Sequence, residues 1–244
     1  MQIIQHPSYT HRQAATYLYG AVALFAVVFA ITLLLRNTKS PTLRLLDLLV
    51  LMFGISGITV RFLPGLMSWF VGAVGEKRTL GRLRALPGGY TAVANFVAPG
   101  GRRGDVDLVL IGPMGVLACE IKTYEGVMVY EGGRWWKRRP NGWKTPIKGN
   151  PSAQAKRNGD AVRGFIGEHK RIAPRLDGAA VPVMPIVIFV GADGLETGSL
   201  KITALRAPDL LTHVMSLPRT LTDEQAAAVA GLFAVGAGKA AAVD

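Results

Sequence analysis

The chain carries one cysteine, Cys119, and four scattered histidines, His6, His11, His169 and His213. A single thiol excludes an internal disulfide framework and a cysteine-only zinc site, and the histidines offer no zinc-ligand spacing, so no zinc is expected. Charge is also sparse: only 18% of the 244 residues are Asp, Glu, Lys or Arg, and acids are the scarcer sign, 16 against 28 Lys and Arg, for a net charge of +12. Such an excess points to a polyanionic partner, either nucleic acid or an anionic membrane face. Half of the residues are hydrophobic and the mean hydropathy is +0.29. That excludes a disordered or wholly soluble chain and leaves room for one compact domain plus a membrane element.

The apolar residues are concentrated at the N-terminal end. Tyr17 to Leu35 is uncharged, and at about 1.5 Å per residue it matches a hydrocarbon core of about 30 Å. Leu45 to Leu63 is a second run, with Asp47 near one end and Arg61 near the other, where charged groups reach the interface. The short connector containing Pro41 suits a helical hairpin, so residues 17–63 are expected to meet a lipid bilayer and both ends to lie on one side. Arg12, Arg61, Lys77, Arg78 and Arg82 flank the spans, against Arg36, Lys39 and Arg44 in the connector, which favours cytoplasmic termini. Pro64-Gly65 is expected to break the second helix, and Trp69 to anchor the following apolar stretch at the interface. Residues 1–74 are thus an anchor and 75–244 a soluble domain. The expected location is the bacterial inner membrane, with that domain in the cytoplasm.

The soluble part reads as an α/β domain. Glu76 to Leu86 has helical spacing and stops at Pro87-Gly88-Gly89. Tyr90–Val97, Asp105–Ile111, Val116–Lys122 and Val127–Glu131 are strand-like runs separated by turn residues. Asn150-Pro151 supplies an N-cap and a first-turn proline for a helix reaching about Arg171. Val181–Val190 is a buried strand, Leu205–Leu217 a helix, and Thr222-x-x-Gln225 opens a last helix with a capping pattern.

Chemistry concentrates between Gly104 and Lys122. A hairpin closed at Gly112-Pro113-Met114-Gly115 pairs Ile111 with Val116 and, counting outward, Asp107 with Glu120 and Asp105 with Lys122. Asp107, Glu120 and Lys122 then share one face. Opposed like charges are destabilising unless compensated, and hard oxygen donors on neighbouring strands suit a divalent cation. Lys122 is placed to orient a water or offset charge on a phosphate. A second reading stands beside it: a solvated acidic strand end, with Asp105 and Lys122 as an ordinary cross-strand ion pair. Cys119 falls on the face opposite Glu120 and is expected to pack as a small apolar residue.

Gly75-Glu76, the Val106-Asp107 strand ending in Ile111-Gly112-Pro113, Gly115-Val116 leading to Glu120-Ile121-Lys122, Gly126, Trp135-Trp136 and Asn150-Pro151-x-x-Gln154 together resemble the nuclease-related domain, NERD. That family is grouped with the restriction-endonuclease-like PD-(D/E)xK nucleases. The resemblance covers about residues 75–190, with a weaker continuation into the C-terminal helix. It implies a restriction-endonuclease-like mixed sheet flanked by helices, and a Mg²⁺ ion, with Mn²⁺ as the alternative, held by Asp107 and Glu120. Lys122 would assist the nucleophilic water, and Glu76 and Gln154 would support the metal or its waters. Thr123-Tyr124-Glu125 stands where the family commonly has a short polar link to its glycine.

Between Gly132 and Gly159 lie Arg134, Lys137, Arg138, Arg139, Lys144, Lys148, Lys156 and Arg157 with no acid, interleaved with Trp135, Trp136 and Trp143. Cations meet phosphates and exposed indoles stack on unpaired bases, so Arg134, Trp136, Lys137, Arg138, Arg139, Trp143, Lys144 and Lys148 are candidate DNA contacts. One tryptophan packing into the core of a solvated hairpin, or attraction to anionic lipid, are the competing readings. Three functions follow in order: a membrane-anchored, Mg²⁺-dependent nuclease cutting DNA, a non-catalytic nucleic-acid-binding or scaffold module at the membrane, and a lipid-facing structural protein.

Overall fold

The structure, a computed structural model, describes residues 1–6, 9–36, 40–98, 105–169 and 172–240. The side chains of 5, 9–14, 68–69 and 235–240 are outside that description, as is Lys39, so the expected Trp69 anchor, two of the flanking charges (Arg12 and Lys39) and the expected helix end at Arg171 lie outside the described residues.

The chain forms two units. One comprises Met1–Pro7 and Val74–Asp244, the other Ser8–Ala73. The second holds α1 (Tyr9–Arg36) and most of α2 (Pro41–Leu83), both long and apolar enough to cross a membrane. The two helices pack through glycines. A Cβ at Gly54 would fall 2.6 Å from Val28 and one at Gly20 2.8 Å from Phe62, so the backbones meet where a larger residue would hold them apart. Outside this seam Phe25, Phe29, Leu48, Phe53 and Val60 are exposed, the apolar-all-round pattern of a helix placed in lipid.

Pro64-Gly65 does not end the second helix, which runs unbroken to Leu83 and absorbs the separate helix expected from Glu76. A proline inside a helix removes one hydrogen bond and costs about 3 kcal/mol in water. In an apolar hairpin the neighbouring helix limits that penalty, and Tyr17 of α1 packs against Gly65, 3.0 Å from where a Cβ would stand.

The α/β unit is built on an eight-stranded mixed sheet. The strands are β1 (Gln2–Gln5), β2 (Thr91–Phe96), β3 (Val106–Gly112), β4 (Gly115–Glu131), β5 (Arg134–Arg138), β6 (Lys144–Pro146), β7 (Val183–Glu196) and β8 (Thr203–Arg206). They run β1-β2-β3-β4-β5-β6, with β7 beside β4 and β8 beside β7. The two short runs expected at Val116–Lys122 and Val127–Glu131 are one long strand, bent by register shifts around Gly126. Met1–Pro7, which the sequence reading leaves with the apolar segment, joins this unit because β1 pairs in parallel with β2. The chain therefore leaves this unit before α1 and returns to it at Val74, within α2.

Helices cover both faces. On one side Leu117, Cys119, Ile186 and Ile188 pack against Leu83 of α2 and Leu210 of α5 (Leu210–Ser216). On the other, Val109, Ile111, Val116 and Ala118 pack against Val162 and Phe165 of α3 (Pro151–Glu168) and Phe233 of α6 (Asp223–Ala240). A short helix, α4 (Ala173–Leu176), precedes β7. The caps form as the sequence indicates. The side chain of Asn150 accepts from the Ala153 amide, and Thr222 and Gln225 hydrogen-bond reciprocally, the Gln225 amide donating to Thr222 Oγ1 and the Thr222 amide to Gln225 Oε1.

Candidate active site

The site lies where β4 changes partners. Its first half pairs with β3 from Gly112–Gly115 through Ile111–Val116 to Leu108–Cys119, and its second half with β5 from Val127–Arg138 onward. The stretch between has β7 on one edge only, so the sheet forks. The β3 ladder ends at Leu108–Cys119, and at the mouth of that fork Asp107 lies near enough to Glu120 to feel its charge. Asp107 replaces the missing ladder bond with its own side chain: its Oδ2 accepts the Ile121 amide at 2.6 Å.

Glu120 is buried, only 3% exposed, and gripped at both oxygens. Lys122 Nζ is 2.6 Å from Oε1, and Asn158 Nδ2 of α3 donates to Oε2 at 2.8 Å. Lys122 pairs with Glu120, not with Asp105 as the ordinary ion-pair reading has it. Cys119, on the opposite face, is fully buried. Burial, with the Asp107 charge second, pushes its thiol up, which leaves it an inert core residue.

Glu76 is brought close by Gly75. A Cβ on Gly75 would come 2.2 Å from Thr123 Oγ1, so only glycine lets α2 run this near to the strand. The electrostatics follow from crowding. Burial first, and Asp105 second, raise the Glu76 carboxyl to about 7. Asp107 is raised well above the usual carboxylate range by burial and by Glu120; the Ile121 amide and Lys122 oppose this, and Glu76 adds to it. Burial pulls Lys122 down, but its ion pair with Glu120 outweighs that and leaves it raised.

Sequence reasoning missed Asn158. Gln154, the helix residue it favours, sits one turn earlier on α3, half-buried, and Asn158 makes the contact to Glu120. The signal was available as the i, i+4 spacing of the two amides, but a polar residue on a half-exposed helix is common.

Among the described residues no three His, Cys, Asp or Glu side chains converge into a metal cluster. The donor set that exists is nevertheless suited to a hard cation: two neighbouring carboxylates, one of them, Asp107, raised by burial and by the Glu120 charge, a state a divalent ion relieves.

In comparison with protein families, residues 71–190 match the nuclease-related domain, NERD. This part of the chain is a nuclease-related domain. No curated protein and no solved structure matches the chain. The eight-stranded mixed sheet with helices on both faces is consistent with the PD-(D/E)xK grouping of NERD domains.

The basic strip of the NERD domain folds as the β4–β5–β6 ribbon with the turn beyond it. The ladders set Arg138 beside Lys144 and Trp136 beside Pro146, so Arg134, Trp136, Arg138 and Lys144 share one face while Lys137 lies on the other with Met128 and Thr145. Two cations are met by acids that lie outside the strip in sequence. Arg138 forms a two-pronged pair with Glu196, its Nη1 2.8 Å from Oε2, and Lys144 pairs with Glu131 at 2.5 Å. Arg134, Arg139 and Lys148 are exposed. The tryptophans divide as well. Trp135 is in the core, donating to Ser152 Oγ at 2.5 Å and tilted against Phe189. Trp136 is half-buried, and Trp143 stands 74% exposed beyond the Arg139–Gly142 turn.

Proposed function

We propose that this protein is a membrane-anchored, Mg²⁺-dependent nuclease that hydrolyses DNA phosphodiester bonds on the cytoplasmic side, with Mn²⁺ able to replace Mg²⁺. The observation that carries the reading is the meeting of Asp107, Glu120 and Lys122 at the fork of a nuclease-related domain. Asp107 and Glu120 would hold the cation, which supplies a Lewis acid and a bound water of lowered pKa. Lys122, protonated and next to Glu120, would orient that water and offset charge on the phosphate. Glu76, with a carboxyl near neutrality, is suited to accept or return a proton close by. Arg134, Arg139, Lys148 and Trp143 would hold the substrate backbone and an unpaired base, with Trp136, Lys137, Arg138 and Lys144 beside them. Residues 17–63 would fix the domain to the bilayer, and the return of the chain to the β1–β2 sheet supports an even number of crossings.

A second reading is a non-catalytic DNA-binding module. The ribbon's exposed cations favour it, since they need no metal, and the Lys122–Glu120 pair neutralises the fork without one. Full-length protein in detergent separates the two. The nuclease nicks supercoiled plasmid only with Mg²⁺, and Glu120→Ala keeps salt-sensitive DNA binding while losing the nicking; wild type that binds DNA without nicking it is the second reading.

A further inference from the structure

Helix α3 presents one inward stripe to the sheet. Ala155 and Val162 are fully buried on it, and Gly159 brings the helix backbone so close to β7 that a Cβ there would lie 3.2 Å from Pro185. Asn158, three residues after Ala155 and four before Val162, borders that stripe and is half-buried. The close seating at Gly159 carries the Asn158 amide to Glu120 Oε2, 2.8 Å away. Lys122 holds the other oxygen, so the carboxylate plane is fixed by two donors from different elements.

The two donors differ in kind. A second lysine would neutralise the carboxylate and compete with a divalent cation for it. A carboxamide supplies orientation without adding a second positive charge beside Glu120. Partners that orient a metal-ligating carboxylate typically change metal affinity by about 10–100-fold when removed.

We propose that Asn158 is a positioning residue that fixes the Glu120 carboxylate for divalent-cation binding. The inference rests on the metal-site reading above. It is tested by titrating full-length protein in detergent micelles with Mn²⁺, following free Mn²⁺ by electron paramagnetic resonance, for wild type and Asn158→Ala, beside metal-free melting curves. The expected result is a Kd for Mn²⁺ raised about 10-fold or more, with Tm lowered by only about 2–4 °C, the shift of one lost hydrogen bond in a domain this size. Should Asn158→Ala not fold, Asn158→Ser, whose hydroxyl is too short to span the gap, is used instead. Unchanged Mn²⁺ affinity in a folded variant overturns the role of Asn158 and leaves the metal site standing. Wild type that binds no Mn²⁺ overturns both.

Discussion

Lys122 and Glu120 form the most buried ion pair among the described residues, Nζ to Oε1 at 2.6 Å, with the carboxylate almost fully buried and the ammonium partly so. They stand two residues apart on one strand, on one face, with β7 beside them and no β3 or β5 partner on the other edge. The pair is thus held by the strand's geometry and open at the fork, where a ligand can compete for either member.

Removing the ammonium leaves a buried carboxylate with only Asn158 as partner. Lys122→Met is expected to destabilise metal-free protein by about 1–3 kcal/mol, the range for a hydrogen bond to a charged group. The same change in a Glu120→Gln background should cost much less. Melting of the four proteins gives the coupling, and additive losses would show that the two side chains do not interact.

The Glu76 carboxyl, raised to about 7 from 4.5, makes a signed prediction. Its folded pKa is above its unfolded one, so its contribution to stability is fully present below about pH 4.5 and is lost as pH rises through 7. Metal-free protein should therefore lose stability between pH 5 and pH 8 through this group, and Glu76→Gln should flatten that part of the curve. Tm measured across the range in EDTA checks it; an unchanged slope in Glu76→Gln would show that the group titrates normally.

The three ribbon tryptophans are expected to separate cleanly. Trp135→Ala removes a core side chain and its bond to Ser152, at a cost of about 3–5 kcal/mol. Trp143→Ala should leave Tm unchanged and weaken single-stranded DNA binding by about 1–3 kcal/mol, the worth of one stacked base. Fluorescence anisotropy on a labelled oligonucleotide measures the second effect. Equal affinity in Trp143→Ala would remove stacking from the account.

The hairpin register was legible because the turn is short and glycine-bounded. The expected nearness of Asp107 to Glu120 rests on that register. The cap at Asn150 and the Thr222–Gln225 box were legible for the same reason, being local chemistry. What could not be read depends on partners far away in the chain. Arg138 looks free in a segment without acids until β7 delivers Glu196. Gln154 and Asn158 are equivalent polar helix positions until α3 is seated on Pro185. β1 is four residues long, too short to announce a strand, and exists because the β2 edge is there to receive it. Pro64 reads as a helix breaker because the rule comes from helices in water, not from one packed against another apolar helix.

The central claim is that the Asp107–Glu120–Lys122 fork is a metal-dependent catalytic centre. The most direct measurement is the initial rate of cleavage of end-labelled DNA by wild type and by Lys122→Met, full-length, in the same detergent and at saturating Mg²⁺. The account predicts cleavage abolished by EDTA and a rate at least about 100-fold lower in Lys122→Met. Equal rates in the two proteins, or cleavage that survives EDTA, would contradict it.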